Sequence, residues 1–236
     1  MLRKPLAVAR LNLRNTRAAW NTAVIAFIVI FGQTVVHVIL GLAGFDMSYQ
    51  SELGSGNFLY LLCMLCAILI PARNFRRLVN LGAKRADYFR GCLCTYVLLA
   101  AGVALVNILL YYAFDLPVGR LGLMDDIKMN LLDVWGWAAH GPVVAFLRQF
   151  AFLVLVAVFF HTLATLHDWW VGWAVDVLIV AVISVFTPIA PLRAAEYAFF
   201  RAVAFHPSAF TQIAFCLVLA AVIYALNLPI LSRRVI

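Results

Sequence analysis

Few residues in this chain carry chemistry, and most of them lie inside apolar runs. Cys63 and Cys66 are spaced to share a helix face, and Cys92 and Cys94 open the next run. Thiolates at such spacing suit a soft metal. A thiolate in hydrocarbon is costly, however, and the two pairs fall at different depths. These cysteines, with Cys216, read as packing residues, and no metal site is expected. His161 and Asp176 flank a tight turn at His167-Asp168, about 10 and 13 Å from it at 1.5 Å per residue. They are expected to pair across an antiparallel helical hairpin, either as interhelical glue or as an acid with a function in the membrane. Gln33 and His37 lie i, i+4 with Thr34 beside them, Asn107 stands in a later run, and Tyr224 and Asn227 lie i, i+3. Each is a candidate for a substrate path or for an interhelical polar contact. Catalytic patterns are missing: there is no GxxxxGK[ST], GxSxG or HExxH, and Gly54-Ser55-Gly56 has no positioned base nearby in sequence. No catalytic residue and no cofactor of this chain's own is expected.

The elements that must position these side chains follow from composition. The 236 residues are 66% hydrophobic and 12% charged, with a mean hydropathy of +1.00. A soluble domain runs near half apolar and a quarter charged. These values exclude an ordinary water-soluble globule, disorder, collagen and a disulfide-stapled secreted module. The apolar surplus requires lipid as its solvent. Gaps between charges reach about 20 residues or more, enough to cross roughly 30 Å of hydrocarbon. The expectation is an all-α membrane protein of six transmembrane helices over 19–43, 55–72, 91–114, 149–167, 169–190 and 209–231. A β-barrel would need short alternating segments, and these runs are continuous. The first run is too long for a signal-peptide core and is taken as an uncleaved helix.

Orientation follows from the basic residues. Six spans place both termini on one side, with Arg3, Lys4, Arg10, Arg14, Arg17, Arg73, Arg76, Arg77, Lys84, Arg85, Arg90, Arg233 and Arg234. These are 13 of the 18 lysines and arginines. The other side carries Arg120, Lys128, Arg148, Arg193 and Arg201 beside Asp46, Glu52, Asp115, Asp125, Asp126, Asp133 and Glu196. The positive-inside rule then puts both termini in the cytoplasm of a cell whose plasma membrane the chain crosses. The net charge of +8 is read as topology, and no nucleic-acid surface is expected.

Outside the spans, residues 1–17 are a basic amphipathic lead-in suited to the headgroup layer, or else a frayed basic tail. Residues 73–90, the one sizeable cytoplasmic loop, place Phe75, Leu78 and Val79 in one apolar patch and Ala86 and Phe89 in another, with Gly82 between. Two readings fit: helical extensions of the flanking spans, or a docking knob with Phe75 and Leu78 exposed as anchors for a cytoplasmic partner. Residues 191–207 are an outer hairpin, dipping into the membrane or lying on it. Residues 115–148 form a longer outer loop that could cap an exit.

The run Arg76-Arg77-Leu78-Val79-Asn80-Leu81-Gly82-Ala83-Lys84-Arg85, followed by Tyr88-Phe89-Arg90-Gly91, resembles the coupling loops of permease subunits of type-2 ATP-binding-cassette (ABC) exporters. Small bacterial members of the lantibiotic-immunity and antibiotic-export kind are the nearest in flavour. The likeness covers the whole chain as architecture and about 20 residues as motif. It implies a connector helix in residues 2–17 and a coupling helix in 73–90. Phe75, Arg76, Arg77, Leu78, Gly82, Lys84, Arg85 and Phe89 would bind a separate ATPase that holds ATP and Mg²⁺. It also implies a re-entrant hairpin in 191–207 and a second permease, identical or related. Three other readings stay open: a substrate-capture subunit of an energy-coupling importer, an intramembrane enzyme, and a membrane scaffold.

Overall fold

The computed structural model describes residues 3–45, 52–120 and 128–233; Asp46, Asp125, Asp126 and Arg234 of the charge map lie outside them. Continuous apolar runs with no charge to interrupt them fold as long helices. Five are long and apolar enough to cross a bilayer: Arg17–Leu42, Ser55–Asn80, Arg85–Arg120, Pro142–Leu166 and Ala209–Ile230. Trp170–Val185 and Ala190–Phe205 meet at 115° and make a sixth crossing if the bent pair is one broken span.

In chain order, α1 is Arg3–Asn15 and α2 is Arg17–Leu42. The second crossing is α3 (Leu59–Leu69), a π-turn over Ile70–Asn74, and α4 (Phe75–Asn80). Pro71 explains the wide turn: its ring lacks an N–H and crowds the carbonyl one turn back, so the helix opens. The third is α5 (Arg85–Leu110), continuing through a second π-turn, Tyr111–Asp115, into α6 (Leu116–Arg120). Then come α7 (Leu131–Val134), α8 (Pro142–Leu166), α9 (Trp170–Phe186), α10 (Ala190–Phe200), α11 (Ala209–Ala225) and α12 (Asn227–Arg233).

The core lies around α8, which packs against α3, α5 and α11. Small residues make this close approach possible: Ala145, Ala151 and Ala157 on α8 and Ala100 and Ala104 on α5 are buried. By contrast α2 buries only Ala19, Ala23 and Thr34, and it exposes Ile25, Ile28, Val29 and Ile39. Apolar side chains on that face need lipid or another helix as neighbour.

Two ends are distinct. At one, α1 and the α4–α5 turn gather the basic residues. At the other, β1 (Glu52–Leu53) pairs in parallel with β2 (Lys128–Met129). Asn130 caps α7, its Oδ1 accepting from Leu132 N at 3.0 Å. Trp137 is fully buried and donates from Nε1 to the Ala204 carbonyl at 2.8 Å. It joins Trp135 and Phe152 in an aromatic cluster. The part of the connection around Trp135 and Trp137 is therefore tied down onto the segment before α11.

Candidate functional site

The basic end is built from α1 outward. Asn12, fully buried, joins three elements: its Nδ2 donates to Thr95 Oγ1 at 3.4 Å and to Cys92 Sγ at 3.6 Å, and its Oδ1 accepts from Asn74 Nδ2 at 3.0 Å. The π-turn created by Pro71 is what carries Asn74 to that position. A single amide thus fastens the lead-in helix to α5 and to the base of α4.

On α4, Phe75 and Leu78 are i, i+3 and point inward. Phe75 is fully buried and meets the Tyr88 ring edge-on at 5.2 Å, and Leu78 is buried too. This corrects the expectation that they are exposed anchors. The sequence of a short loop shows apolar residues without showing what covers them, and for Phe75 the cover includes Tyr88 of α5. The outward side of the same turn carries Arg76, Arg77, Lys84 and Leu81, which is 72% exposed. Gly82 closes the turn at φ +83°, with Ala83 N donating to Leu78 O and Gly82 N to Val79 O. This bond pair ends a helix in the left-handed region, where a side chain would be strained. Arg85, half-buried, opens α5. Phe89 stacks on Tyr224 at 4.2 Å, and its carbonyl accepts from the Tyr224 hydroxyl at 2.6 Å. A hollow of about 470 Å³ separates α1 from the turn, between Leu11 on one side and Leu81, Lys84 and Asp87 on the other.

The intramembrane polar residues do not converge. His161 is buried, with Nδ1 hydrogen-bonded to Tyr96 Oη at 2.6 Å and Tyr224 beside its ring. Asp176 pairs instead with His167, Nε2 to Oδ2 at 2.7 Å. The expected His161–Asp176 pair is therefore corrected. Equal depth along two helices did not account for the faces they present. Gly172 decides the outcome: a Cβ there would lie 2.6 Å from His167 N, so α9 crosses the very end of α8 in backbone contact. Asp176, one turn after Gly172, then falls on the His167 ring.

His167 sits just past the end of α8. Its Nδ1 donates to the Leu163 carbonyl at 2.8 Å while its Nε2 faces the carboxylate. Both ring nitrogens meet acceptors, and only the imidazolium can donate to both. The Leu163 hydrogen bond first, and Asp176 second, raise its pKa above the ordinary 6.5. A raised folded-state pKa gives stability that is fully present below about pH 6.5 and is lost as pH rises through the folded value. Detergent melting temperature is expected to fall with rising pH over that window, and His167→Gln is expected to flatten the profile. A profile as steep in the variant as in the parent would show that another group titrates.

Gly172→Val is expected to lower melting by several degrees and to abolish the same pH dependence. Its side chain meets backbone, which cannot move aside.

The remaining candidates are scattered. Gln33 is exposed on α2, and His37 is half-buried one turn later. Asn107 is buried against Gly56 and beside Tyr60, which also meets Gln149. Asn227 is buried and donates to Thr162 Oγ1 at 2.7 Å, joining α12 to α8. None of the six lines the apolar cavity of about 700 Å³ between α8, α11 and the α9–α10 pair, which is walled by residues such as Phe152, Phe159, Ile179, Phe199 and Ile223. Among the described residues no group of three or more His, Cys, Asp or Glu is placed to hold a metal.

One polar junction escaped sequence reasoning. Arg148 marked the end of an outer loop there, but α8 begins at Pro142 and Arg148 lies buried within it. Its Nε donates to Gln212 Oε1 at 2.7 Å, one terminal nitrogen to the His206 carbonyl and the other to His140 Nδ1 at 3.4 Å. Pro142 at the first helical position was the available signal.

These features define a polytopic α-helical membrane protein with one basic end and five or six crossings. The chain matches no family model, no curated protein and no solved structure.

Proposed function

We propose that this chain is the membrane-spanning permease subunit of an ATP-driven exporter of the type-2 ABC class, with its basic end in the cytoplasm. The observation that carries the reading is the construction of the α4–α5 turn. Its inner side is anchored by Phe75, Leu78 and Tyr88, and its outer side offers Arg76, Arg77, Leu81 and Lys84 to solvent. A turn that is basic outside and packed inside moves as one body with α3 and α5, as coupling to a motor requires. ATP and Mg²⁺ are held by the separate ATPase. A second permease, the same chain or a related one, covers apolar faces such as that of α2, and cargo passes between the two. Residues 191–207, which hold most of α10, supply the re-entrant hairpin on the outer side.

The intramembrane-enzyme reading loses support from the site geometry, because the His and Asp it would use have different partners. The test is co-expression with a candidate ATPase and purification in mild detergent. The expected result is a stable complex whose ATP hydrolysis responds to the permease. Purification of the chain free of any ATPase, with activity of its own, would end this reading.

A further inference from the structure

We infer that α1 forms a binding site for the phosphodiester headgroup of an anionic phospholipid. Arg10, Arg14 and Arg17 follow one another at i, i+4 and i+7, so they form one stripe along the helix. All three are exposed. With Ala7 and Leu11 they line a hollow of about 450 Å³. Among the described residues none of the three has a hydrogen bond or an ion pair. Three guanidiniums around one hollow repel each other unless an anion sits between them.

The opposite side of α1 is committed. Val8, Ala9 and Asn12 are buried, and Asn12 bonds Thr95 and Cys92 near the start of α5. The stripe is thus held in a fixed orientation. Its depth is also defined: Arg17 is the first residue of the α2 crossing, and Trp20 follows one turn later. The hollow therefore lies at the level of headgroups. Its lining pairs guanidinium donors with the apolar Ala7 and Leu11, which suits a molecule that is anionic at one end and hydrocarbon at the other. An acidic protein surface would match the charge but not the depth. Arginine forks also bind phosphate oxygens two at a time, which favours a phosphodiester. The site adjoins the hollow beside the α4–α5 turn through Ala7 and Leu11, but Arg10, Arg14 and Arg17 line only the former and are not among the residues of the proposed ATPase surface.

The test uses the full chain in mild detergent, with melting and native mass spectrometry as readouts. Phosphatidylglycerol is expected to raise the melting temperature and to remain bound, whereas phosphatidylcholine does neither. The triple variant R10Q/R14Q/R17Q is expected to melt unchanged without lipid and to lose on the order of 100-fold in phosphatidylglycerol affinity, as three surface arginines would supply. The triple lysine variant keeps the charge but not the fork, and it is expected to recover only part of the binding. Undiminished lipid binding by the glutamine variant would overturn the assignment. So would an equal effect from inorganic phosphate alone, which would make this a free-phosphate site, or from polyglutamate, which would make it a protein-docking patch.

Discussion

Phe75→Asp is expected to yield no folded protein, whereas Leu81→Asp yields a normally folded chain that no longer carries an ATPase. The two positions are six residues apart on one turn, yet their surroundings are opposite. Phe75 is fully buried against Tyr88, and Leu81 is 72% exposed. Emptying a buried phenylalanine site costs about 3–5 kcal/mol. Placing an unpaired carboxylate there adds a desolvation cost of several kcal/mol more. Together these reach the whole stability of a typical domain, about 5–15 kcal/mol. At Leu81 the carboxylate stays in water and the fold is unaffected. Its effect falls on a partner surface that is acidic to meet Arg76, Arg77 and Lys84, where a new carboxylate is repelled and an apolar contact is lost. Size-exclusion profiles and melting of both variants, with the ATPase content of the purified complex, check the pair. Normal folding of Phe75→Asp would mean that the side chain points outward. Retention of the ATPase by Leu81→Asp would move the docking surface elsewhere.

The second large effect belongs to Arg148. Arg148→Met is expected to destabilise the chain by about 2–4 kcal/mol. Hydrogen bonds to a charged donor are worth roughly 1.5–3 kcal/mol each, and their loss leaves Gln212 Oε1 and the His206 carbonyl without this donor. Relief of the guanidinium's own desolvation offsets part of that loss. For a chain of this length the net corresponds to a fall in melting temperature on the order of 10 °C. The junction joins α8 to α11 and to the segment just before it, so the loss should open the end opposite the basic face first. Hydrogen exchange localised to residues 203–212 would show this. Arg148→Lys keeps the charge but not the fork, and it should recover less than half of the difference. A methionine variant as stable as the parent would show that Gln212 and His206 find other donors.

The polar residues of the crossings illustrate what spacing can and cannot assign. Asn227 and Asn107 were recognisable as buried amides because a polar group in an apolar helix must face protein, not lipid. Their partners were not recognisable. Thr162 is 65 residues from Asn227, and Gly56 and Tyr60 meet Asn107 from the preceding crossing. His161 and Asp176 show the same limit more sharply. Rise per residue placed them at similar depths, but the crossing of α9 over the end of α8 at Gly172 moved the aspartate to His167. A single close contact between backbones, made between residues five apart, changed which histidine carries the acid.

Length, apolar runs and the placement of arginine and lysine were enough to establish a helical chain whose five or six long apolar helices suit lipid. They act locally: each run of about 20 apolar residues must satisfy its own backbone, and that requirement needs no knowledge of neighbours. Which face of each helix is covered, and by what, was decided only in three dimensions. Phe75 and Leu78 turned inward because α4 packs back on the start of α5 at Tyr88, and Arg148 is buried because α11 brought Gln212 to meet it. In lipid, apolar surface is at home on either side of a helix. Burial therefore follows from shape and from the pairing of a few polar groups between distant segments, and a linear pattern contains neither.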